Sequence, residues 1–217
     1  MKYKIIEKDV EDLFLQIPDN VCDKIGSNYE IALFANIPHI KKTDMLEYFE
    51  VMVLSSLDFN GEIGETILAT NILFINKGLN VSTQANYADD YIAVIGQLFL
   101  GGYIDFYRSM CEYGIEDNTP NLSQYKPNNQ YGNWIFLRDN YIYGELYRNG
   151  DINPAQGDFW KNSKNWNMYN IDCIRTEKGD KYYNEILAPR FYNKYKDLEV
   201  EIDKKGNIIR WIGEINR

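Results

Sequence analysis

The stretch that most constrains this chain is ADDYIAVIGQLFLGGYIDFYR, residues 88–108. Between Asp90 and Asp105 almost every residue is apolar, yet the run is shorter than the roughly 20 residues that a helix needs to cross a bilayer. Gln97 and the pair Gly101-Gly102 also interrupt it. The segment is therefore expected inside a globule. Ala88, Tyr91, Ile92, Ile95, Leu98 and Phe99 recur at helical spacing, which predicts one buried face. Asp89 and Asp90 fall in the first turn, where a carboxylate opposes the positive end of the helix dipole, and Ser82 or Thr83 stands in capping position. Asp105 is expected to play the same part for a second helix, IDFYRSMCEYG, which Gly114 would close. These acids thus have a structural task before any catalytic one. A metal site would want further ligands, and no motif supplies them.

A chain of 217 residues buries enough surface to fold without staples. The net charge of −9 disfavours nucleic acid and anionic lipid and favours a basic protein partner. Solubility alone also accounts for an acidic surface. Cys22, Cys111 and Cys173 are odd in number and far apart, so neither a disulfide framework nor a zinc site is expected. The opening MKYKIIEKDVEDLFLQ lacks the apolar core of a secretion signal, and a cytoplasmic location is the expectation.

Along the chain, KYKIIEK alternates like a strand, and NYEIALFANI (28–37) reads as a buried strand before Pro38. Thr43 would cap a helix through DMLEYFEVMVLSSLDF, and GETILATNILFINKG reads as another. Residues 116–129 are rich in Asn, Pro and Ser and read as a loop. Beyond it the patterns are those of sheet. NWIFLR and YIYGELY flank Asp139-Asn140 as a hairpin, MYNIDCIR is a strand, and LEVEID and IIRWIGEI flank KKGN as a second hairpin with Gly206-Asn207 at its tip. In LEVEID, Leu198, Val200 and Ile202 alternate with Glu199, Glu201 and Asp203, the mark of a strand with one wet face. The predicted class is α+β: a helical layer over about 40–115, packed with an antiparallel sheet built mainly from the C-terminal half. A single domain 1–217 is expected, with subdomains 1–115 and 130–217 joined by loop 116–129.

Catalytic signatures are thin. His39 is the single histidine, and its place beside Pro38 reads as a turn. No phosphate-binding glycine loop, dinucleotide fingerprint or nucleophile motif occurs. Glu47/Glu50 and Glu62/Glu65 form Glu-x-x-Glu pairs that helical spacing places on one face, where solvated acids are the ordinary outcome. APRFYNKYK (188–196) mixes bases with aromatics, and lysines lying over a core account for it. No cofactor and no catalytic residue is expected. The dense stretch 150–170 carries Trp160, Trp166 and Tyr169 among Asn, Gly and Lys, a composition shared by binding surfaces and by loops that plug a core.

These observations lead to an acidic binding protein that neutralises a protein partner, in the manner of an immunity protein or phage-encoded inhibitor facing a basic toxin or nuclease. Glu116, Asp117, Trp160, Trp166, Tyr169, Glu199 and Glu201 are the expected partner-binding residues. The alternatives are an enzyme using the carboxylates Asp89, Asp90, Asp105 or the glutamate pairs, and a phage or structural assembly component.

Overall fold

The computed structural model describes residues 1–6, 33–57, 88–108, 119–143, 159–166 and 170–217. Among them are six helices and five strands, and the class is α+β as the periodicities predict. The chain divides into two compact units, neither contiguous in sequence. The first gathers the described residues of 1–55, 88–94 and 181–217, and the second those of 56–57 and 95–180.

The first unit holds strand β1 (Lys2–Lys4), helix α1 (Lys42–Ser55) and the start of helix α2 (Ala88–Leu100). α1 begins one residue before Thr43, and its cap comes from Asp44, whose Oδ2 accepts the Lys41 N–H at 2.8 Å. That is half of a capping box, with Asp in the place of Glu. The expected strand 28–37 is not seen where it is described: Leu33–Ala35 are helical, and Phe34 packs on Tyr48 of α1 with ring centroids 4.2 Å apart.

The second unit continues α2 and adds strand β2 (Ile104–Arg108), helix α3 (Leu122–Tyr125), helix α4 (Gln130–Leu137), strand β3 (Ile171–Arg175) and the start of helix α5 (Glu177–Tyr182). α2 ends as its glycines require. Gly102 takes φ +70°, its N–H reaches Phe99 O and the Tyr103 N–H reaches Leu98 O, which closes the helix in a Schellman turn.

Three expectations fail here. IDFYR is not a helix start but β2, paired antiparallel with β3. The expected hairpin around Asp139-Asn140 is helical up to Ile142, and its residues 144–147 lie outside the described residues: α4 runs on through a wider turn at Arg138–Ile142. A short apolar run cannot by itself distinguish helix from buried strand, and the packing of Trp134 and Leu137 decides it. The expected loop 116–129 is structured from Leu122 on, by α3 and a tight turn at Pro127–Asn129.

Back in the first unit, α5 widens at Tyr183–Leu187 and continues as α6 (Ala188–Tyr195). Pro189 has no N–H to donate and its ring crowds the carbonyl four residues back, so a widened turn before it relieves the clash. Strands β4 (Glu199–Ile202) and β5 (Ile208–Ile212) complete a three-stranded sheet in the order β1-β4-β5. The alternation around LEVEID holds: Leu198, Val200 and Ile202 are buried and the glutamates between them half-exposed. The turn between the strands is built on Asp203, whose Oδ1 accepts from Lys205 N and Asn207 N, with Gly206 at φ +83°. Among the described residues the sheet material is thus two sheets of three and two strands, and the helices extend well into the C-terminal half.

Candidate partner-binding surface

Asp44, Glu47 and Glu50 stand at three-residue spacing along one face of α1. They meet cations carried by α6 and by Arg217. Lys194 Nζ lies 2.7 Å from Asp44 and 2.5 Å from Glu47, Arg190 Nε lies 2.6 Å from Glu47, and Arg217 Nη2 lies 2.9 Å from Asp44. Tyr182 donates to Glu50 at 3.2 Å. Burial pushes the Asp44 carboxyl up, but Lys194, the Lys41 N–H and Arg217 together outweigh it and hold the carboxyl below its ordinary value. Burial dominates at Glu50 and raises its carboxyl. The Glu47/Glu50 pair is therefore not a solvated face. It is half of an ionic ladder that ties α6 to α1, and every one of its carboxylates has a partner. Glu62 and Glu65 lie outside the described residues.

The other acids also find structural employment. Asp90 pairs with Lys42 at 2.9 Å, and Asp89 is exposed in the first turn of α2. Asp105 is buried on β2, and its carboxylate accepts the N–H and the hydroxyl of Ser123, at 3.1 and 2.5 Å. It does cap a helix, but the helix is α3, reached across the fold. Among the described residues no three His, Cys, Asp or Glu side chains are grouped to hold a metal ion. His39 is exposed in a turn at φ +62°. Cys173 is a buried free thiol, and its burial raises its pKa. Cys22 and Cys111 lie outside the described residues.

The expected binding residues separate into three groups. Trp160 and Trp166 keep only 1% and 3% of their surface, so they are corrected from partner contacts to core. Trp160 packs edge to face on Trp166 and on Phe159, Trp166 lies tilted against Phe159, and the two indoles donate to the carbonyls of Pro120 and Phe159 respectively. A buried indole with its N–H satisfied is a stable place for a tryptophan. Glu199 and Glu201 do lie on the half-exposed face of β4. Register places Lys2, Glu201 and Arg210 in one row across the sheet, and Lys4, Glu199 and Ile212 in the next. Arg210 Nε binds Glu201 at 2.7 Å, and that bond first of all holds the Glu201 carboxyl below its usual value. This face is charge-compensated rather than acidic. Glu116, Asp117 and Tyr169 lie outside the described residues.

The surface that sequence reading missed is β5. It has β4 on one side and, among the described residues, no strand on the other. Ile208 and Ile209 keep 36% and 58% of their surface, and the Arg210 side chain keeps 62%. A β-bulge between Glu201 and Ile202 sets two residues of β5 against one step of β4, which turns out the extra residue, Ile209. An apolar edge strand is a template for another chain, and most proteins blunt or cover it. Just past β5, Gly213, Glu214 and Ile215 line an open cleft of about 450 Å³ with Pro38, His39 and Arg217. Arg217 Nη2 donates to His39 O at 2.9 Å across it. The only signal for this surface in the sequence was IIRWI itself, whose adjacent isoleucines break the alternation kept by LEVEID.

The acid surplus lies elsewhere. The described residues carry 19 Lys and Arg against 16 Asp and Glu, while the remaining stretches carry 4 against 16. No helix among the described residues is long and apolar enough to cross a membrane. No protein-family model matches this chain, and neither a curated protein nor a solved structure matches it.

Proposed function

We propose that this chain is a protein-binding protein that neutralises its partner by occupying it, and that contact runs along the free side of β5. The single observation behind this reading is the exposure of Ile208 and Ile209 on a strand with one open side among the described residues. Backbone pairing supplies affinity in such an arrangement and side chains supply choice. The chain's −9 charge supports a basic partner, of the toxin or nuclease kind, drawn in by long-range attraction. No step of this reading needs a cofactor.

The test is site-specific photocrosslinking in the native host, with the crosslinker at position 209 and, as control, at the exposed position 185. One protein captured from 209 and not from 185, whose activity the purified chain inhibits at equal molar amounts, is the expected result. Identical capture from both positions, or a captured protein whose activity is unaffected, removes the reading.

A further inference from the structure

Resting on the reading of β5 as the binding edge, we infer that the segment it accepts is an extended strand of a partner protein carrying an acidic residue beside Arg210 and an apolar residue two positions away, beside Ile212. The sheet's own rows dictate this. Charge alternates along the first row, from Lys2 to Glu201 to Arg210, and the next place in that row is the open side of β5. Among the described residues Arg210 engages Glu201 through Nε alone, and its side chain keeps 62% of its surface, so its terminal nitrogens have donors to spare. An acid there continues the alternation, and opposite charges directly across a strand pair are favoured over like charges. The second row ends in Ile212, half-exposed, which an apolar neighbour would cover. Residues 210 and 212 keep regular register with Glu201 and Glu199, so they share one face and call for alternate residues of the incoming strand.

The same geometry selects against a second copy of this chain. An antiparallel two-fold pairing centred on β5 would set Arg210 opposite Arg210, as would in-register parallel pairing. Like charges directly opposed are destabilising, and a charged side chain on an edge strand is a common device against self-association.

The probe is a blocked heptapeptide, Thr-Val-Thr-Glu-Thr-Val-Thr, which reads alike in both directions, and its counterpart with Lys at the centre. Binding to the full-length, isotope-labelled chain is followed through the backbone amide signals of residues 208–212. The Glu peptide is expected to shift these signals and to bind about fivefold more tightly than the Lys peptide, with Arg210→Glu inverting the order and Arg210→Gln removing the difference. Circular dichroism confirms that both variants fold. Equal affinity of the two peptides, with β5 signals shifting for both, overturns the charge rule and leaves the edge in place. No shift at β5 from either peptide overturns the edge reading and this inference with it. Dimerisation of the chain that protects β5 without any peptide overturns the choice of a foreign strand.

Discussion

Lys194 Nζ stands 2.7 Å from Asp44 Oδ1, on a carboxylate whose side chain keeps only 1% of its surface. The same ammonium bridges to Glu47. α6 is thereby fastened to α1 by a charge that has little water to fall back on. Removing Lys194 leaves Asp44 to Arg217 and Glu47 to Arg190, so each buried carboxylate loses one charge-assisted hydrogen bond and keeps another cation. Lys194→Met is expected to lower unfolding free energy by roughly 1.5–3 kcal/mol, measured by urea denaturation. Adding Asp44→Asn to it should cost less than the two single changes summed, since each removes the other's reason to be charged.

The same carboxylate sets a pH response. Its folded value lies below the ordinary one, so its contribution is complete above the unfolded value of about 4 and is lost as pH falls through the folded value. The urea midpoint of the native chain should fall below pH 4 more steeply than that of Asp44→Asn. Glu50 has the opposite sign: its carboxyl is raised, so stability declines as pH rises from the unfolded to the folded value. Glu50→Gln should flatten that decline.

Trp160 tests core against surface. Its ring is buried and its N–H is 2.6 Å from Pro120 O. Trp160→Ala is expected to cost about 3–5 kcal/mol in stability, seen as a lower thermal midpoint. Trp160→Phe should cost clearly less, because it keeps most of the packed volume. A Trp160→Ala variant of unchanged stability would return this residue to the surface.

Gly213 holds the cleft end of β5. It takes φ +86°, and an added Cβ would lie 2.0 Å from Asp197 O, a backbone atom. Gly102 takes φ +70° with open space around it. Gly102→Ala should therefore cost only the conformational strain, about 1–2 kcal/mol. Gly213→Ala should cost more than that and should also disturb the amide signals of residues 208–212, which makes it a structural control for the peptide titration.

Local chemistry carried much of the fold. Alternation in LEVEID, the turn at Asp203–Gly206, the acids opening α2 and the glycines closing it all depend on residues within one turn of each other, and the sequence by itself determined them. It also fixed the mixed α+β class, because periods of 2 and 3.6 both recur. What only the tertiary structure decided involves partners far apart along the chain. Asp105 caps a helix 18 residues on, Trp160 donates to a carbonyl 40 residues back, and Glu47 meets Arg190 across 143 residues. Side-chain types state that such groups need partners, but not which ones, because the choice is made by packing that brings distant segments together. The open side of β5 among the described residues belongs to the same class: a strand reads alike at the centre of a sheet and at its edge, and the order β1-β4-β5 puts β5 at the edge of the described sheet.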